Sequence, residues 1–240
     1  MSRIELYRKI NQFIHKIGFD IRRFPTRDQR MLLQYLQGHQ VNDCFDIGAN
    51  TGQFGKLIRS LNFKGKIYSF EPQSKAFETL NKTASGDSQW EVYNIGLGNT
   101  DGKSIINISK NSVSSSILEI NKFLVETIPE TQYISNEEIK VNRLDTFLKD
   151  INFKKKFFLK IDAQGFESKI LEGAEGCFND IYALQLEIPC VSLYDGEKLF
   201  DEMKDFIESK GFYLSSLESS LVDPKNGRLL EVETIFLREE

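Results

Sequence analysis

Phe45-Asp-Ile-Gly-Ala-Asn-Thr-Gly-Gln53 decides how this chain is read. Residues 41–47 are a short apolar run, which Gly48 to Gly52 breaks, and residues 53–61 return to a helical pattern. Strand, glycine turn and helix in that order leave backbone N–H groups exposed at a strand end. Glycine there permits a tight turn and the close approach of a ligand. A phosphate-cradling loop would need Gly-Lys-Ser/Thr at its end, but Gln53-Phe54 follows Gly52. The pyrophosphate fingerprint Gly-x-Gly-x-x-Gly is also absent. What remains is Asp-x-Gly-x-x-x-Gly, with an acid able to receive a charged amino group. That suits an amino-acid–nucleoside ligand better than a polyphosphate.

Working outward, residues 66–70 read as a second strand closed by Glu71-Pro72, residues 74–84 as a helix and residues 90–97 as a third strand. Glu71 lies 19 residues after Gly52, about the distance at which a carboxylate takes both hydroxyls of a ribose. The glycine turn alone is a common feature of loops; with Glu71 it reads as a nucleoside site. The alternation pauses over residues 98–150. There the pattern gives an extra strand at 103–109, the hydroxyl-rich loop Asn111-Ser-Val-Ser-Ser-Ser116, a short strand at 139–143 and a helix at 144–149. It resumes with a strand at 156–161 ending at Asp162, a helix at 166–174, a strand at 181–188 and a helix at 197–210. Two strands, 212–217 and 229–237, flank the turn-rich Asp223-Pro-Lys-Asn-Gly-Arg228. The fold class is α/β: a Rossmann-like, mostly parallel sheet with helices on both faces and a C-terminal antiparallel strand pair.

Ahead of this core, Ile4, Tyr7, Ile10, Ile14 and Ile17 recur at helical spacing, and residues 27–36 give a second helix. Residues 1–40 are therefore expected as a helical extension packed on a domain of residues 41–240. The first 30 residues hold eight basic and three acidic side chains, +5, which leaves −9 of the net −4 to the remaining 210. An acidic body argues against a nucleic-acid partner. The basic N-terminal helix packs on the domain, or else meets a membrane surface or a partner protein. Cys44, Cys177 and Cys190 have no Cys-x-x-Cys spacing, and His15 and His39 stand apart from them. That points to a reducing, cytoplasmic setting and to no metal. No run of 18 apolar residues occurs, and charges break up the first 23 residues, unlike a secretory signal.

The chain resembles the FkbM-type family of class I S-adenosylmethionine-dependent methyltransferases. The matching stretches are Phe45–Gln53, Phe70-Glu-Pro72, Arg143-Leu-Asp-Thr-Phe147, Leu159-Lys-Ile-Asp-Ala-Gln-Gly-Phe-Glu167 and Leu171-Glu-Gly-Ala174. The resemblance implies a seven-stranded sheet, with residues 41–240 as the methyltransferase domain. It implies S-adenosylmethionine as methyl donor, S-adenosylhomocysteine as product, and transfer to a hydroxyl of a sugar, glycan or natural product. Carried over, Asp46, Gly48, Ala49, Asn50, Thr51 and Gly52 would line the donor's methionine end, and Glu71 with Pro72 its ribose. Gly96 and Leu97 would lie near the adenine, where no acidic side chain follows and a backbone carbonyl or Asn99 would serve.

Asp162 falls at the end of a core strand, where ligands meet in open α/β sheets. Methyl transfer to a hydroxyl needs alignment and somewhere for the proton to go, so a carboxylate is the expected aid. Candidates are Asp162, Glu167 and Glu187; the plainer alternative is that Glu167 orients its helix and Glu187 pairs with a base. Ser115, Ser116, Gln164 and Tyr194 are candidates for acceptor contacts. Two other readings stay open. An N-methyltransferase would want Asn/Asp-Pro-Pro-Tyr/Phe where this chain has Asp162-Ala-Gln-Gly165. A non-catalytic donor-fold subunit would work through its basic helix.

Overall fold

In the computed structural model, which describes Glu5, Leu6, Ile10, Ile14 and residues 24–239, the apolar runs become a central sheet. Helix α1 (Arg27–Gly38) begins at Thr26, whose side chain accepts from the Gln29 N–H while Gln29 accepts from the Thr26 N–H. That reciprocal box satisfies two otherwise orphaned donors. Strand β1 (Asp43–Ile47), helix α2 (Gln53–Ser60), β2 (Lys66–Phe70), α3 (Ser74–Ala84) and β3 (Trp90–Tyr93) follow. Next come β4 (Gly96–Leu97), β5 (Gly102–Ser109), α4 (Lys122–Thr127) and β6 (Tyr133–Asn142). Then α5 (Leu144–Phe147), β7 (Phe157–Ile161), α6 (Glu167–Glu172), β8 (Ile181–Pro189), α7 (Phe200–Ser209), β9 (Phe212–Val222) and β10 (Leu229–Arg238) complete the chain.

Seven strands form one sheet in the order β3-β2-β1-β7-β8-β10-β9. The first five run parallel, and β10 is antiparallel to both β8 and β9. Both strands are buried along their whole length, which explains why β1 and β7 read as mainly apolar runs, broken only by Asp43, Asp46 and Lys160. On one face Phe45, Phe70, Phe157 and Ile161 pack with Leu144, Ile170, Met203 and Ile207 from α5 to α7. On the other, Cys44, Ile67 and Phe158 pack with Leu36, Ile58 and Leu80 from α1 to α3. No described helix is long and apolar enough to cross a membrane. Ile4, Tyr7 and Ile17 of the expected N-terminal helix lie outside the described residues.

Two expectations change. The third strand does not run on to residue 97: β3 stops at Tyr93, and β4 leaves for a second sheet of order β4-β6-β5. The Asn94 side chain donates to the carbonyls of Glu71 (2.9 Å) and Pro72 (3.0 Å), turning the chain there. Residues 98–150 supply β5 and β6 of this second sheet, which pair along most of their length. The helix expected at 166–174 is only α6, continued by a 3-10 turn over Glu175–Asp180.

Two of the quoted motifs brace this frame. The Arg143 guanidinium bonds to Asp145 (2.6 and 2.9 Å) and to the carbonyls of Asn99 (2.9 Å) and Glu172 (3.2 Å). A Cβ on Gly173 would lie 1.9 Å from the Gly98 carbonyl oxygen, so glycine lets the two segments touch. Gly55 plays a similar part in α2. Alanine is intrinsically better in a helix by about 1 kcal/mol, but a Cβ at Gly55 would sit 2.1 Å from the Trp90 ring. Gly55→Ala is expected to destabilise by about 1–3 kcal/mol through overpacking. Urea unfolding should show a lower midpoint; an equal or higher one would contradict this packing.

Candidate functional site

The parallel strands end on a common edge, and the chain turns there are the natural place for a ligand. Gly48 leaves β1 at φ +73°, and a Cβ on it would lie 1.8 Å from the Asp162 carbonyl oxygen. Only glycine lets the turns after β1 and β7 approach so closely. The N–H groups of Gly48 and Ala49 both donate to the Phe70 carbonyl at 3.0 Å. Asn50 is left-handed, φ 46°, and aims its N–H at Glu71 Oε2, 2.8 Å away. The Gln73 N–H donates to Glu71 Oε1, also at 2.8 Å. Glu71 is thus clamped by two backbone donors while 2% exposed, and each oxygen keeps a lone pair for a further donor. Burial pushes its carboxyl up to about 7, and the two N–H groups pull the other way.

A 320 Å³ cavity opens over this edge. Gly48, Ala49, Asn50, Glu71, Pro72, Gly96 and Leu97 stand on its wall, with Ser115, Ser116, Asp162 and Gln164. Ile95, Ile106, Ile117 and Phe166 add apolar surface. Asp46, Thr51 and Gly52 are not on the wall. The Thr51 N–H turns to Gln53 Oε1 (3.0 Å) and its carbonyl accepts from Thr83 (3.1 Å). Gly52 packs toward Leu80 and Trp90. Asn99 gives its amide to Glu172 at 2.9 Å.

Asp46 lies beneath the cavity, fully buried. The register sets it beside Ser69 on β2 and Lys160 on β7. Its Oδ2 accepts from Ser69 Oγ at 3.0 Å, and Ser69 accepts from the Trp90 indole N–H at 3.0 Å. Lys160 Nζ stands 3.4 Å from Asp46 Oδ1 and 3.4 Å from Asp162 Oδ2. Burial alone would lower the lysine, but the carboxylates of Asp162 and Asp46 outweigh it and raise it, so the ammonium stays charged. Sequence reasoning did not single out Lys160. Its signal is a charge inside an otherwise apolar strand, a costly placement unless the charge is paired.

The remaining candidates divide. Asp162 Oδ1 accepts from Gln164 Nε2 at 2.9 Å, and Tyr194 Oη lies 3.0 Å from Gln164 Oε1. Ser116 Oγ donates to the Gln164 carbonyl (2.6 Å), and Ser115 Oγ accepts from the Ser109 N–H (3.0 Å). Glu167 lines neither this cavity nor its neighbour. It accepts from the Ala163 N–H at 2.8 Å under the turn that carries Asp162, and burial raises it to about 8. Glu187 and Tyr194 belong to a second cavity next to the first. Tyr194 is 1% exposed, packed with Leu124, Leu193 and Leu230. Gln53, Phe54, Gln185 and Glu233 also line the first cavity; of these only Gln53 falls in a quoted motif, and none was named as a candidate.

A sequence model of the Methyltransferase FkbM domain matches residues 46–214. Among solved structures, Methyltransferase FkbM from Methylobacillus flagellatus KT is similar, with a TM-score of 0.52 and 14% identity. The match covers 81% of this chain and 43% of that one, so this chain spans less than half of that protein's length. An rRNA methylase from Streptococcus thermophilus matches at a TM-score of 0.49 and 12% identity, covering 91% of this chain and 100% of that one. No curated protein matches by sequence. At these identities the likeness to solved structures shows the fold alone.

The raised carboxyls have a sign that can be measured. Glu71 and Glu167 bind a proton more tightly folded, near 7 and 8, than at their ordinary value of 4.5. Between those limits the folded state holds protons that the unfolded chain has released, so stability falls as pH rises. Urea unfolding of the ligand-free protein should lose stability from pH 5 to 8, by up to about 1.4 kcal/mol per pH unit for each group. Glu167→Gln should flatten part of that slope. Stability that rises over the same window would contradict the burial described.

Proposed function

The chain belongs to the FkbM methyltransferase family, and from that premise we propose that it moves a methyl group from S-adenosylmethionine to a hydroxyl of a small-molecule or glycan acceptor, leaving S-adenosylhomocysteine. The observation that carries the reading is Glu71: a buried carboxylate held by two backbone N–H groups on the wall of a cavity at the strand ends.

The residues fit such a donor. The carboxylate of Glu71 retains acceptor capacity toward the cavity, suited to both ribose hydroxyls. Close contact between Gly48 and Asp162 keeps side chains out of the turn, so the backbone from Gly48 to Asn50 is within reach of an amino-acid end. Ile95, Leu97 and Phe166 offer the flat apolar surface that a purine base needs. When bound, the donor supplies an electrophilic methyl on a positive sulfur.

Asp162 takes the acceptor's hydroxyl proton as the oxygen–methyl bond forms and the sulfur–methyl bond breaks, its electron pair going to sulfur. Lys160 holds Asp162 in place from 3.4 Å, and Asp46 acts from below through Lys160. Glu167 braces the turn that carries Asp162. The acidic body of the chain favours a small or glycan acceptor over a nucleic acid.

Two variants separate the roles. Glu71→Ala removes two charge-assisted hydrogen bonds and should weaken donor binding about tenfold or more by titration calorimetry; affinity equal to the parent's would contradict the ribose role. Asp162→Ala should cut kcat by about 10²–10⁴ with a far smaller change in donor affinity. Turnover at the parent's rate would remove Asp162 from the chemistry.

A further inference from the structure

The second cavity, also 320 Å³, shares Val113, Asp162 and Gln164 with the first. A molecule in one can therefore meet a molecule in the other at that end. Its wall has two characters. Leu124, Ile128, Leu193 and Leu221 make one side apolar. Asp162, Glu187 and Glu231 bring three carboxylates to the rest, and no lysine, arginine or histidine lines it.

The protein gives these acids little cationic support, and burial with the neighbouring acids raises Glu187 and Glu231 well above the ordinary carboxyl value, so a cation arriving there would displace their protons. Lys160, on the wall of the first cavity, already faces Asp46 and Asp162. Glu231 is 9% exposed; its Oε2 accepts from Ser220 Oγ at 3.2 Å, and its other oxygen has no donor among the described residues. Burial opposes the ionisation of Glu187, as do Asp162, Glu231 and Glu233, which faces it across the β8–β10 pair, while Lys160 favours it. Neither Glu187 nor Glu231 reaches the first cavity, so a ligand there leaves both uncovered. Among the described residues no group of three or more His, Cys, Asp and Glu side chains is placed to hold a metal ion. An organic cation is then the complementary guest. An ammonium carries three donors on one charge and offsets the cost of burying carboxylates side by side.

We propose that the second cavity is the acceptor subsite and that it selects a hydroxyl acceptor bearing a protonated amine, an amino sugar or amino alcohol, with the ammonium on Glu187 and Glu231 and the hydroxyl at Asp162. This rests on the methyl-transfer reading above and names its substrate class. The leucine side covers the carbon face of the acceptor. An ammonium held by carboxylates has no lone pair, so the oxygen is the nucleophile and the product keeps a free amine.

The test is titration calorimetry on the full chain in excess S-adenosylhomocysteine, with glucosamine, N-acetylglucosamine and glucose as probes. Glucosamine should bind at least about tenfold tighter than either neutral sugar, the scale of a desolvated charge pair. Glu231→Gln and Glu187→Gln should each erode that preference, with circular dichroism confirming their fold. Equal binding of the three sugars, no binding of glucosamine, or a preference that survives both substitutions overturns the inference. The comparison of sugars on the parent protein needs no variant to be decisive. A glucosamine preference in a parent chain that fails to bind S-adenosylhomocysteine would overturn the donor reading and leave the cationic subsite standing.

Discussion

Glu71 is held between two backbone N–H groups, one from the glycine turn after β1 and one from the start of α3. Much of the site follows from that clamp. To supply its N–H, Asn50 adopts a left-handed conformation, which the preceding Gly48 turn makes reachable. Gly48 in turn lies so close to Asp162 that no side chain fits between them. The ends of β1, β2 and β7 are thereby fixed against one another beneath the cavity. A site built on such rigid elements loses little conformational freedom when a ligand arrives.

Beneath the cavity runs a buried polar line from Trp90 through Ser69 and Asp46 to Lys160, and on to Asp162 and Gln164. Hydrogen bonds and ion pairs link its members, which keeps most of these groups supported out of water, although Asp46 Oδ1 accepts no hydrogen bond and meets only the Lys160 ammonium at 3.4 Å. Lys160 is the pivot, because one cation serves two carboxylates. Removing one member of a buried pair commonly costs about 3–5 kcal/mol, since it strands the other charge. The same lysine leaves Glu187 and Glu231 without a cation of their own, and that imbalance gives the second cavity its chemical character.

The glycine turn and Glu71 were legible because both depend on short spacing along the chain. So was the parallel sheet, whose central strands are mainly apolar and buried on both faces. The departure of β4 was not legible: Gly96 and Leu97 continue an apolar run, and the turn comes from Asn94 binding the carbonyls of Glu71 and Pro72. The position of Asp46 follows from period-two alternation, which puts it on the face of Cys44 and beneath the cavity wall. Lys160 carried a sequence signal that only pairing could interpret. Of the second cavity, Asp162, Gln164, Glu187 and Tyr194 were singled out one by one, but their coming together was not legible, because its walls come from segments as far apart as Asn111 and Glu231.

The central claim is that the edge between Gly48 and Glu71 grips an adenosyl ligand. Its most direct measurement is a crystal structure grown with S-adenosylhomocysteine. The ribose hydroxyls are expected within hydrogen-bond distance of the Glu71 carboxylate, with the amino-acid end toward Asn50. A ligand lodged elsewhere while Glu71 stays bare would contradict the assignment of this cavity as the donor site.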